Sequence, residues 1–213
     1  KEKGFAHDFA AFEARVTPKS KAVLLNYPCN PTGSTLTKEE LAELAKLCVK
    51  HDLLVLSDEI YSQLSYDLPH VSIATMPGMQ ERTVTLNGFS KAYAMTGWRL
   101  GYAAAPAELI EVMVKIHQYT MLCAPITAQK AALEALEGGH DDMREMIDEY
   151  CLRRNFFVRR LNEIGMPCHM PQGAFYAFPS IAATDLDADR FAVTLLEEER
   201  VVVVPGDVFG PTG

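Results

Sequence analysis

The sequence predicts an α/β fold: a three-layer sandwich around a mostly parallel sheet, followed by part of a smaller α+β unit. Three observations predict it. Apolar runs at 22–25, 53–56 and 83–86 are each cut short by polar or turn residues, at Asn26-Tyr27-Pro28, Ser57-Asp58-Glu59 and Asn87-Gly88. Buried strands of a parallel sheet read this way. A helical pattern separates the first two runs, which is the alternation of an α/β sandwich. From about residue 145 the pattern changes to long helices with short extended segments.

After the first run and Pro28, the residues Pro31-Thr32-Gly33 make a turn-rich loop. Thr37 starts a helix, with Glu40 three residues on completing a capping box. Leu41, Leu44, Ala45 and Cys48 then fall on one apolar face, and the helix ends near His51. Phe5, Phe9 and Phe12 read as helix or core residues. A return strand is expected over 97–105, with Trp98 in the core, and a helix from Pro106, since proline suits a first turn. Helices are expected over 126–136, 141–161 and 188–199. The second of these is acidic at its start and basic at its end, which suits the helix dipole. Short strands are expected at 167–170, 174–178 and 201–204. The division is therefore a larger unit, 1–145, and a smaller one, 146–213. No internal repeat or low-complexity segment is present.

Composition narrows the function. The formal net charge of −8 and pI near 5.3 argue against nucleic-acid binding. No apolar run approaches the roughly 18 residues of a membrane span, and no signal peptide is visible, so the sequence reads as cytoplasmic. The five cysteines (Cys29, Cys48, Cys123, Cys151, Cys168) are odd in number and contain no CxxC. They read as reduced thiols and not as a disulfide framework or zinc site. The sequence has no initiator methionine and stops just after an apolar run, which reads as a piece of a longer protein.

In open α/β sheets ligands sit beyond the carboxyl ends of the strands. Asn30 comes after the first strand, Asp58 and Tyr61 after the second, Ser90 and Lys91 after the third, and Arg99 after the next turn. Singly these read as a turn asparagine, a helix-capping aspartate, a solvated lysine and a surface arginine. Together they supply an amine, a carboxylate, neutral donors and a cation for an anionic group. Pyridoxal phosphate asks for that set.

These residues carry a resemblance. Asn30-Pro31-Thr32-Gly33, Asp58-Glu59-Ile60-Tyr61, Ser90-Lys91 with Gly97-Trp98-Arg99-Leu100-Gly101-Tyr102, and Gly173-Ala174-Phe175-Tyr176 with Val204-Pro205-Gly206 stand in the order found in fold-type I, pyridoxal-phosphate-dependent aminotransferases of classes I and II. The chain resembles most their aspartate and aromatic aminotransferase branch, over nearly its whole length. The resemblance implies transfer of an amino group between an L-amino acid and a 2-oxo acid through a Lys91 Schiff base. Lys91 would then also carry a proton at the substrate carbon. It implies that Asp58 pairs with the pyridine nitrogen and that Tyr61 and Asn30 bond the phenolic oxygen. Arg99 and Ser90 would bind the phosphate, and Asn30 would reach the substrate carboxylate. It also implies a homodimer with shared active sites.

The same resemblance marks what differs. The family's phosphate-binding turn and ring-stacking aromatic precede the NPTG motif, and neither is among the 29 residues before Asn30. Its carboxylate-binding arginine lies beyond Gly213. Gly88 stands where some branches carry a phosphate-binding serine. The chain by itself is therefore expected to transaminate weakly or not at all, because binding energy at both ends of the substrate is missing. Normal turnover by these 213 residues would overturn that. Two other readings remain open on the sequence: a C–S β-lyase of the same fold, and the ligand-sensing domain of a transcription regulator.

Overall fold

Four strands form one sheet whose spatial order is the sequence order: β1 (Ala22–Asn26), β2 (Leu54–Asp58), β3 (Thr83–Gly88) and β4 (Gly101–Ala104). The first three run parallel, and β4 returns antiparallel to β3. The computed structural model describes residues 5–210. The sheet is the predicted α/β arrangement, with each parallel strand ending where the sequence turns polar. Register places the strand ends relative to one another: Asn26 pairs with Asp58, so the ends of β1 and β2 stand side by side.

Helix α1 (Phe9–Glu13) precedes the sheet, and α2 (Lys38–Lys50) joins β1 to β2. Thr37 accepts from the Glu40 amide at 3.2 Å, and the Glu40 carboxylate accepts from the Thr37 amide at 2.8 Å. The capping box read from the sequence is thus closed in both directions. The four residues expected on the apolar face, Leu41, Leu44, Ala45 and Cys48, are the four buried residues of the helix. They pack with Tyr27, Val55, Ile73 and Met79, and Phe9 and Phe12 of α1 close the edge of this core. Strand β2 alternates accordingly. Val55 and Ser57 are fully buried, while Leu54 and Leu56 on the opposite face are each 37% exposed.

Beyond the sheet lie α3 (Ala107–Thr120), α4 (Ile126–Gly138), α5 (His140–Glu163) and α6 (Ala188–Glu199). Helix α5 docks through Arg154, whose side chain is only 9% exposed. Its guanidinium grips both Asp67 oxygens at 2.8 and 3.1 Å, donates to the Pro171 carbonyl at 2.9 Å, and lies over the Tyr66 ring. The five cysteines are free thiols, with Cys48 and Cys168 buried.

Four sequence expectations need correction. The return strand is shorter than 97–105: Thr96–Trp98 is a 3₁₀ turn, Arg99 ends it in the left-handed region at φ 55°, and pairing begins only at Gly101. Trp98 rides on that turn and is 47% exposed, so it is not core. The segment at 167–170 makes one bridge, Cys168 to Pro179, and 174–178 makes none, the bridges on either side of it falling at Gly173 (to Ser65) and Pro179. Residues 201–204 pair with no strand among the described residues. A strand is a property of two segments, and an apolar run alone does not supply the second.

Candidate functional site

Three loops leave the carboxyl ends of β1, β2 and β3, and a fourth segment, 171–178, lies across them. The β1 loop is a tight one. Gly33 donates to the Cys29 carbonyl and Cys29 donates to the Ser34 carbonyl, each at 2.8 Å. Both X–Pro bonds in this loop, before Pro28 and Pro31, are cis. Gly33 sits at φ +68°, and a Cβ there would fall 2.3 Å from the Pro171 side chain. Its carbonyl accepts from the amides of Gln172 and Gly173. Gly173 in turn lies so close to Pro28 that a Cβ would meet it at 2.6 Å. Two glycines thus let the NPTG loop and the 171–178 segment touch backbone to backbone.

Asn26 organises the first two strand ends. Its side-chain oxygen accepts from the Asn30 amide at 2.9 Å, and its side-chain nitrogen donates to Asp58 Oδ2 at 3.0 Å. The other Asp58 oxygen accepts from the Ile60 amide at 3.2 Å. Sequence reasoning misses Asn26. The signal is present, however, because Asn26 ends the first apolar run just as Asp58 ends the second.

Behind Asp58, Glu59 turns the other way, into the core. It is 3% exposed. Ser57 and Ser72 donate to Oε1 at 2.8 and 2.7 Å, the Tyr27 hydroxyl reaches it at 3.4 Å, and His70 Nε2 reaches Oε2 at 2.9 Å. Burial pushes this carboxyl up, but the bonds from His70, Ser72 and Ser57 outweigh it and hold Glu59 below the usual carboxylate range. Tyr27 also accepts from the Ile73 amide, so Glu59 ties together β2, the start of the NPTG loop and the 70–73 segment.

Tyr61 is buried, with its hydroxyl 2.5 Å from that of Tyr176. Burial raises its phenol, so Tyr61 keeps its proton. The Asn30 side-chain amide donates to the Tyr176 oxygen at 3.3 Å. The expected Asn30 and Tyr61 are therefore brought together, and the residue joining them, Tyr176, carries no role in the sequence reading. Lys91 lies in the turn after β3. Its Nζ stands 5.8 Å from the Tyr61 ring centre and 5.6 Å from that of Phe175. The amine faces aromatic rings, and among the described residues no carboxylate forms an ion pair with it.

Arg99 and Ser90 share the loop of Lys91. That loop leaves β3 at Gly88 and re-enters the sheet at Gly101, which is Gly88's own partner. A Cβ on Gly88 would meet the Gly101 Cα and the Leu100 carbonyl at 3.0 Å, a fit that asks the facing backbone to give by a few tenths of an ångström. Gly101 is needed for the same close approach, whereas a Cβ on Gly97 would meet nothing within 4 Å. Arg99 is exposed, and its guanidinium donates to the Thr96 carbonyl at 2.8 Å. Ser90 is half-buried beside Lys91. What the site offers is an amine, a strand-end carboxylate, two phenols and an amide within one cluster, with a cation at the edge of the same loop.

The profile of the family described as aminotransferase class I and II matches residues 1–213. The Bacillus subtilis protein YugH, named a putative aminotransferase, is 58% identical over 212 residues, covering 100% of this chain and 55% of that protein. The aspartate aminotransferase of Pyrococcus abyssi is 50% identical over 201 residues, covering 93% of this chain and 52% of that enzyme. The crystal structure of the aromatic aminotransferase from Pyrococcus horikoshii OT3 superimposes with a TM-score of 0.96 at 47% identity, covering 100% of this chain and 58% of that one. The chain thus spans about half the length of the relatives it matches. The motif order, the strand-end cluster and these likenesses agree: the chain belongs to the aminotransferase class I and II family.

Proposed function

We propose that this chain forms the cofactor-binding part of a pyridoxal-phosphate-dependent aminotransferase that moves an amino group between an L-amino acid and a 2-oxo acid. The observation that carries the reading is the placement of Lys91 against Tyr61, with Asn30 and Asp58 on the neighbouring strand ends. The donor set fits the chemistry of pyridoxal phosphate. That group, when bound, supplies an electron sink for the substrate carbon. Lys91 Nζ is its covalent anchor and, once free, the base that moves a proton at that carbon. The Asp58 carboxylate holds a proton on the ring nitrogen. Two protein hydrogen bonds keep Asp58 oriented for this while leaving lone pairs to accept another. Tyr61, which keeps its proton, donates to the phenolic oxygen. Asn30 has a second amide hydrogen for the same oxygen or for the substrate carboxylate. The Arg99 guanidinium and the Ser90 hydroxyl bind the phosphate.

The division into a larger unit to about residue 145 and a smaller one after it belongs to this reading, as do a homodimer and a cytoplasmic location. No helix among the described residues is long and apolar enough to cross a membrane. The names of the relatives favour transamination over C–S cleavage or ligand sensing.

The test is an absorbance spectrum of the full-length protein with pyridoxal phosphate, alone and as Lys91→Ala. A bound-cofactor band that the substitution abolishes is expected, together with glutamate formation from 2-oxoglutarate and an amino donor. A band that survives Lys91→Ala, or pyruvate and sulfide release without amino transfer, would overturn the reading.

A further inference from the structure

The contact of Tyr61 with Tyr176 continues a line of polar groups that starts at Asn30. Tyr176 oxygen accepts from the Asn30 amide at 3.3 Å, and amide nitrogen cannot accept in return. Across the 2.5 Å contact with Tyr61 either hydroxyl has a proton to give, and Tyr176, already accepting from Asn30, can pass its own on to Tyr61. With Tyr176 as the donor, Tyr61 accepts and its own proton is turned away from Tyr176. The order is Asn30 to Tyr176 to Tyr61 to whatever the Tyr61 hydroxyl addresses. Each bond in such a chain polarises the next donor.

The backbone around Tyr176 is built to hold it there. Gly173 donates to the Gly33 carbonyl and Ala174 donates to the Leu64 carbonyl, at 3.0 and 2.8 Å. Ala174 is fully buried in the left-handed region at φ 56°, and its carbonyl accepts from the Tyr66 hydroxyl. That turn delivers Phe175 and Tyr176 together onto Tyr61, both rings edge-on at 86° and 81°. A residue held in that backbone region without being glycine is strained, and the strain persists only because the surroundings over-determine it.

We propose that Tyr176 is a positioning residue of the cofactor site, fixing the proton of the Tyr61 hydroxyl toward the cofactor's phenolic oxygen. This rests on the cofactor reading above. The titratable groups facing Tyr61 are Asp58 on its own segment, Lys91 from the turn after β3 and Tyr176 from the 171–178 segment. Without the Tyr176 hydroxyl, Tyr61 is a weaker donor and free to turn. The ionised phenolic oxygen is then less well stabilised, and the cofactor chromophore holds its proton to higher pH.

The experiment titrates the absorbance band of the full-length holoenzyme, with pyridoxal phosphate bound, as wild type, Tyr176→Phe, Tyr61→Phe and the double variant. Tyr176→Phe is expected to raise the midpoint by about 0.3 to 1 pH unit, the scale of a cooperative contribution to one charge-assisted bond. The same change in the Tyr61→Phe background is expected to add nothing, because the relay is already cut. An unchanged midpoint in Tyr176→Phe, an equal shift in both backgrounds, or lowered cofactor occupancy without a shift would each overturn the relay. A band that persists in Lys91→Ala would instead mark failure of the cofactor reading, so the two failures are distinguishable.

Discussion

Glu59 is the residue whose replacement has the most closely bounded cost. Consider Glu59→Gln, which keeps the shape. Its carbonyl oxygen can still accept from Ser57 and Ser72, now without charge assistance. Its amide nitrogen then faces His70 Nε2, which lies 2.9 Å from the present carboxylate oxygen. Two donors cannot meet there, so His70 must move its proton to Nδ1. That atom is buried and has no hydrogen-bond partner among the described residues. One orphaned buried N–H costs about 1–3 kcal/mol, and losing charge assistance on the remaining bonds adds about 1 kcal/mol. The sum, about 2–4 kcal/mol, corresponds to roughly a 1 M fall in the urea midpoint at neutral pH. The pH dependence has a definite sign. Glu59 has a depressed pKa in the folded chain, so its contribution is fully present above the unfolded value of about 4.3 and is lost as pH falls through the folded value. The gap between wild type and Glu59→Gln should therefore be constant from pH 8 to about 5 and narrow below about 4. Urea unfolding of the protein, monitored by far-ultraviolet circular dichroism, measures both. An unchanged midpoint at pH 7, or a gap that widens on acidification, would refute the network as described.

Gly33 and Thr37 separate a site contribution from a fold contribution. Gly33→Ala puts a Cβ 2.3 Å from the Pro171 side chain and 2.8 Å from the Gly173 carbonyl, at a φ of +68°. It should cost about 2–4 kcal/mol in thermal or urea unfolding, by strain plus a broken loop contact. It should also weaken cofactor binding in the full-length protein, read by fluorescence titration. Thr37→Ala removes half of the capping box and should cost about 1 kcal/mol in the same unfolding assay, with no change in cofactor affinity.

What the sequence discloses and what it hides divide by distance along the chain. Helix α2 is legible because its cap, its acidic first turn and its buried face are all local, and each reading holds residue by residue. The strand ends are legible because a buried strand must turn polar where it leaves the sheet. Asn30, Asp58, Tyr61 and Lys91 can therefore be found as a set, one loop at a time. Tyr176 cannot, since it meets Asn30 across 146 residues. The docking of the 171–178 segment against Gly33 and Leu64 makes them neighbours. Trp98 is misleading in sequence because the apolar composition of 97–105 looks like one strand, whereas the left-handed Arg99 splits it into a turn and a shorter strand. Arg99 stays the least advanced of the site residues. The structure brings it into the Lys91 loop without joining it to Lys91 by any described contact, and its phosphate role rests on the motif.

The two carboxylates at the end of β2 show how one strand serves both stability and chemistry. Asp58 and Glu59 are adjacent, so the alternation of a strand sends them to opposite sides. Asp58 stays half-buried among the loops and accepts two bonds, which leaves it free to accept another from a ligand. Glu59 is driven into the core and meets Ser57, Ser72 and His70 at 2.7 to 2.9 Å, which leaves it little to offer a ligand. The division is useful because the ladder ends here. Past Asp58 the register with β1 ends, the Glu59 amide still donates to the Leu86 carbonyl of β3 at 2.9 Å, and the Glu59 side chain adds bonds to segments at 27 and 70–73. Tyr61 lies two residues further on and depends on that anchorage for its approach to Tyr176. A neutral residue at 59 should therefore disturb Tyr61 and the strand end before it disturbs the sheet, because the core face of β2 is held independently by Val55 against α2.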